Sequence, residues 1–171
     1  ICLTAAPQAA RSTETSGGTV VAVNPTAENL MGQGRDQVDA GNYQKAIDLY
    51  KQAARLDAKN PRIYSGIAYL YAMLEDFQSA AHFYQQAAAI EPHNADFQYA
   101  LGYSLAQTGD YAGASVAYRR ASLLKRDNIN AHLGLGVTLL RQKNYEDAIR
   151  AYQVALHFDP RNLDRKSTRL N

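Results

Sequence analysis

Small and aromatic residues return along this chain in columns 34 positions apart. Ala46, Ala80, Ala114 and Ala148 share one column. Tyr50, Tyr84, Tyr118 and Tyr152 follow four residues later, and Ala53, Ala87, Ala121 and Ala155 three after that. Steps of four and three keep all three columns on one face of a helix. Twelve residues before each of the first alanines stands another small residue, Gly34, Ala68, Gly102 or Gly136. This second column predicts a partner helix that crosses closely at matching small surfaces, with Gly102 against Ala114 in the third copy. Four copies in register, 27–60, 61–94, 95–128 and 129–162, need no insertion or deletion between them. Units of 20 to 50 residues cannot bury their apolar faces alone and stack into arrays, and this one reads as a helical pair.

The polar positions punctuate the same unit. Asn60, Asn94, Asn128 and Asn162 close each copy, and asparagine is a good helix N-cap, with Pro61 suited to the first helical position that follows. Gly41-Asn42, Glu75-Asp76, Gly109-Asp110 and Lys143-Asn144 fall midway and read as the turn between the two helices, although two of the four lack the expected glycine. Gln33 and Gln37 stand where the other copies hold apolar residues, which suits an array end facing water.

In the second copy Tyr64, Ile67, Ala68, Tyr71, Ala80, Tyr84, Ala87 and Pro92 follow one another at a spacing that resembles the tetratricopeptide repeat, and Leu101-Gly102 and Leu135-Gly136 supply its Leu-Gly pair. The departures are Leu30, Gln98 and His132 in the first aromatic slot, and Ala58 and Arg126 in the proline slot. The resemblance covers residues 27–162. It implies an all-α fold, a right-handed superhelical α-solenoid of tandem antiparallel helix pairs, and a non-catalytic scaffold that assembles protein complexes.

The remaining segments fit around the array. Residues 1–25 are expected to be a disordered leader and linker: 1–10 are apolar and rich in small residues, compatible with a plain leader or with the end of a signal peptide, and 11–18 are rich in Ser, Thr and Gly. The stretch 19–23 could add a strand to a partner's sheet. Cys2 is the single cysteine, so no internal disulfide can form. Residues 163–164 resume the opening of a copy, whereas 165–171 (RKSTRLN) break the pattern and read as a non-native tail. That matters for charge. The chain carries 18 basic and 16 acidic residues, a net +2; setting aside Arg165, Lys166 and Arg169 leaves 15 basic against the same 16 acidic. A clustered basic surface for nucleic acid is thereby not indicated, and Arg119, Arg120, Lys125 and Arg126 read as a solvated outer face. No run of residues is long and apolar enough for a transmembrane segment.

Catalytic and metal chemistry find no footing. His82, His93, His132 and His157 have no metal-ligand spacing and no cysteines beside them, so no metal or cofactor is expected. Gly32-Gln33-Gly34 and Gly134-Leu135-Gly136 lack the third glycine of a phosphate loop and read as close-packing positions. No nucleophile, base and orienting group come together.

The resemblance implies a concave groove lined by the first helix of each copy. That face carries Met31, Arg35 and Val38, then Arg62, Ser65, Tyr69 and Met73, then Tyr99, Tyr103 and Gln107, then Asn130, Leu133, Val137 and Arg141. Nine of the 12 tyrosines fall in recurrent packing positions; the three left over, Tyr69, Tyr99 and Tyr103, face the groove and should form one patch. Tyrosine offers contact area at low entropic cost together with a polar tip. Some members of the family clamp a partner's terminal carboxylate with Lys, Asn and Arg, but the clamp positions here hold Met31, Ser65, Tyr99 and Leu133, and Arg35, Tyr69, Tyr103 and Val137. The expectation is therefore a partner's peptide segment held in a mixed aromatic and aliphatic groove, with Arg35 or Arg62 available for an acidic side chain. The alternative is a docking or regulatory region of a larger enzyme.

Overall fold

Each copy opens where a polar side chain caps a helix. In the computed structural model, which describes residues 25–159, Asn60 accepts from the Arg62 backbone N–H, Asn94 from Asp96 and Phe97, and Asn128 from Ala131. Thr26 does the same for Asn29 in the first copy. The capped helices are α1 (Ala27–Asp39), α3 (Pro61–Met73), α5 (Ala95–Thr108) and α7 (Ile129–Arg141), and they alternate with α2 (Tyr43–Leu56), α4 (Phe77–Ile90), α6 (Tyr111–Leu124) and α8 (Tyr145–Phe158). Among the described residues there is no strand. Every helix packs on its neighbours in the chain, and α5 also touches α7, giving an all-α solenoid in two layers.

All four turns between paired helices adopt left-handed backbone at the predicted position, φ 75° at Gly41, 60° at Glu75, 87° at Gly109 and 61° at Lys143. Glutamate and lysine tolerate this at a cost that glycine avoids. In three of the four the side chain of the next residue then caps the second helix, Asp76 accepting from Ser79, Asp110 from Gly113 and Asn144 from Asp147, whereas Asn42 makes no such bond. The hydrogen bonds to Ser79 hold the Asp76 carboxyl below its usual range.

The glycines of the small-residue columns also seat the column of tyrosines. The nearest atoms to a Cβ on Gly102 would be those of the Tyr118 ring, 2.9 Å away at Cδ1 and Cγ. The same ring is closed in from the next copy, where a Cβ on Gly134 would lie 2.5 Å from Cζ. Tyr50 is held in the same way between Gly34 and Gly66, and Tyr152 rests on Gly136. Tyr84 sits against Ala68 and Ala100 in the corresponding place. Tyr50, Tyr84 and Tyr118 are thus wedges between successive first helices, each seated by two small residues. Gly32, expected to be a close-packing position, meets only the Arg35 Nη2 at 3.8 Å, because no tyrosine precedes it in the described residues.

The first aromatic column closes the loop between copies. Tyr64 donates its hydroxyl to the Ala58 carbonyl at 3.1 Å, and His132 Nε2 lies 2.9 Å from the Arg126 carbonyl at the same spacing. A carbonyl only accepts, so Nε2 carries the proton. His132 also stacks on Phe158 with 6.2 Å between ring centroids, which makes it structural, as expected. Gln98 has the corresponding place in the third copy, and its Oε1 is buried without a partner. The outward face of α1 is polar, Gln33 donating to Asn29, whereas α8 exposes Tyr145 and Ile149. The expectations for residues 1–24, including Cys2 and the stretch 19–23, and for Asn162 and residues 163–171, lie outside the described residues.

Candidate functional site

The first helices form the layer that tetratricopeptide arrays turn toward their concave side, and the caps and turns fix which side chains they present. The wedge tyrosines take up the faces between helices, so the positions left over point away from the core. Tyr69 is 55% exposed on α3, Tyr103 42% on α5 and Val137 47% on α7, with Met73 also 42% exposed. Apolar side chains so exposed on one layer, one after another along the array, make a surface that association with another chain could cover. Arg35, Arg62, Gln107 and Arg141 are exposed among them, and Ser65 and Leu133 are half-buried. Ser65 returns its hydroxyl to the Arg62 carbonyl.

Not all of the expected face is available. Met31 is buried, packed in the core with Leu30, Ile47 and Ile63. Tyr99 is half-buried, its ring 5.7 Å from that of Tyr118, so it is partly a packing residue. Tyr103 stands edge-on to Phe77 at 6.0 Å and remains open. Tyr99 and Tyr103 are electrostatic neighbours of Tyr118, and Tyr69 is one of Tyr84.

Sequence reasoning assigned the wedge tyrosines wholly to packing and missed their tips. Tyr50, Tyr84 and Tyr118 are buried, but their hydroxyls bond to no described residue. Gln98 Oε1 is the buried side-chain polar atom without a partner among the described residues, so these hydroxyls open to solvent between the first helices. Burial pushes the Tyr84 hydroxyl up to about 12, with Tyr69 adding to the shift. Tyr118 is raised by burial and by Tyr99 and Tyr103, and Tyr50 by burial against the opposing pull of Arg35 and Arg62. All three are neutral donors at physiological pH. The column's regularity, one unpaired phenol per copy in a small-residue seat, was the signal that could have revealed them.

Where α1 meets α3, a cavity of about 270 Å³ is lined by Arg35, Val38, Asp39, Tyr50, Gly66, Tyr69 and Leu70. A larger depression of about 480 Å³ lies at the junction of the third and fourth copies, with Tyr99, Lys125, Asn130 and three aspartates, Asp96, Asp127 and Asp159. No group of three or more His, Cys, Asp or Glu among the described residues is arranged to hold a metal ion, and no described helix is long and apolar enough to cross a membrane.

A two-layer helical solenoid that presents an open face instead of an enclosed pocket defines a repeat protein of the interaction-scaffold class. The profile described as Tetratricopeptide repeat matches residues 74–128 and 99–162, and the one described as TPR repeat matches 34–75. The chain belongs to the tetratricopeptide repeat family. No curated protein sequence matches it. Among solved structures it is similar to MamA, at 24% identity over 81% of this chain and 81% of that one with a TM-score of 0.73. It is also similar to residues 41 to the end of MamA from Desulfovibrio magneticus RS-1, at 18% identity over 80% and 77% with a TM-score of 0.71. YrrB, described as a TPR protein with an unusual peptide-binding site, aligns at 20% identity over 85% of this chain and 75% of its own with a TM-score of 0.73. At these identities the likeness is one of fold.

Proposed function

We propose that this chain is a non-catalytic adaptor that holds a peptide segment of a partner protein along the layer of first helices, with Tyr69 and Tyr103 as anchors. The observation that carries the reading is the exposure of Tyr69, Met73, Tyr103 and Val137 on successive helices of that layer, next to Arg35 and Arg62, neither of which forms an ion pair with a described residue. Aromatic anchors surrounded by polar groups are how interfaces concentrate binding energy in few residues. An acidic side chain of the partner would meet the two guanidinium groups. The peptide-binding site in the description of YrrB is consistent with the same use of the fold.

The test is capture of a partner from native lysate, then titration of the responsible segment against single variants, with melting curves alongside. Tyr69→Ala and Tyr103→Ala should each lose about 1–2 kcal/mol of binding, as interface anchors do, with little change in melting. Tyr99→Ala should weaken folding as well, because its ring packs on Tyr118. Arg120→Ala, exposed on α6, is the matched control and should bind normally. If both tyrosine variants bind like the wild type while Arg120→Ala releases the partner, the binding face is the other layer.

A further inference from the structure

The wedge tyrosines leave one chemical capacity unused. Their rings are fixed on both sides, Tyr50 by Gly34 and Gly66 and Tyr118 by Gly102 and Gly134, so the hydroxyls stand at set positions. They bond to no described residue and are not sealed from solvent. A phenol that emerges from an apolar seat ordinarily finds a hydrogen-bond partner.

We propose that the hydroxyls of Tyr50, Tyr84 and Tyr118 form a row of donors, one per repeat, that holds main-chain carbonyls of an extended acidic peptide, its carboxylate seated at Arg35 and Arg62. This rests on the peptide-groove reading and deepens it by naming how the chain of the ligand is read. Charge complementarity sets the direction and the acidic character. Arg35 and Arg62 are exposed without ion-pair partners and lie within electrostatic reach of Tyr50. Asp39 is the acidic group in the lining of the adjoining cavity, which favours seating the ligand carboxylate on the Arg62 side. Because a carbonyl belongs to every residue, such a row fixes the course of the peptide and leaves its sequence to Tyr69, Tyr103 and Val137.

The probe is a peptide selected from a displayed library of random 12-residue sequences on the immobilised wild-type chain, measured by fluorescence anisotropy. Tyr84→Phe and Tyr118→Phe keep the wedge and remove the hydroxyl. Each should leave melting unchanged and weaken binding roughly 3- to 10-fold, as loss of one neutral hydrogen bond does. Replacing the bonded amide of the peptide by an ester, a poorer acceptor, should produce the same loss in the wild type and little further loss in the Phe variant. Tyr111→Phe, outside the row, should bind normally. Phe variants that bind like wild type while Tyr69→Ala and Tyr103→Ala lose binding overturn the row alone. Normal binding by all four variants, or recovery of no peptide, overturns the groove reading and the row with it.

Discussion

Two glycines in the same repeat position, Gly32 and Gly134, should respond to alanine with opposite sign. Within a helix, alanine is favoured over glycine by about 0.8–1 kcal/mol, and both glycines are helical, in α1 and α7. At Gly32 the new methyl would meet only the end of the Arg35 side chain at 3.8 Å, so most of that gain should be realised. At Gly134 it would lie 2.5 Å from Tyr118 Cζ and 2.6 Å from Cε1, closer than Cβ contacts come, so the ring or a helix must shift. Overpacking of this kind costs about 1–3 kcal/mol, at the upper end here because neither helix can give without moving a whole repeat. Gly32→Ala should therefore stabilise by about 0.5–1 kcal/mol and Gly134→Ala destabilise by about 1–2 kcal/mol. The melting temperatures should then differ by on the order of 10 °C for an array of this length. Equilibrium urea denaturation followed by circular dichroism measures both, and Gly134→Ala in a Tyr118→Ala background closes a double-mutant cycle in which the penalty should vanish. A Gly134→Ala protein as stable as the wild type, or a Gly32→Ala protein that is weakened, would refute the wedge.

Ile47 is 0% exposed and Ile149, in the same repeat position, 56%; Ile47→Ala should cost about 2–5 kcal/mol in urea denaturation and Ile149→Ala well under about 1 kcal/mol. Equal costs would mean that α8 is covered in solution. Lys143 holds left-handed backbone in a turn exposed to solvent, so Lys143→Gly should raise stability by about 0.5–1 kcal/mol through relief of that strain; a fall in melting temperature would count against it. Tyr84 has its hydroxyl raised to about 12 by burial, above the ordinary value near 10 of the unfolded chain. Its neutral form is therefore favoured by folding: the contribution is complete below pH of about 10 and is lost as pH rises through about 12. Urea midpoints measured from pH 9 to 12 should fall, and fall less in Tyr84→Phe.

The period made the fold legible because it reports the same local chemistry four times. The caps at Asn60, Asn94 and Asn128 and the midpoint turns stand where the pattern put them, and even Glu75 and Lys143 adopt the turn that glycine adopts at Gly41 and Gly109. What one sequence could not show was which surfaces oppose each other. A column of glycines at Gly34, Gly102 and Gly136 states that something comes close, and only the packing shows that a tyrosine ring is the nearest object. That ring changes the candidate site. A ring seated between two glycines cannot be replaced by a side chain of another shape without losing the fit, so packing explains the ring, and phenylalanine would fill the same seat equally well. The hydroxyl at Tyr50, Tyr84, Tyr118 and Tyr152 is the part that packing does not require. Exposure sorts the other tyrosines by the same test: Tyr69 and Tyr103 are open and Tyr99 is drawn into the core by Tyr118. The face that remains for a partner is therefore narrower in side chains than the sequence suggested, and richer in fixed donors along its floor.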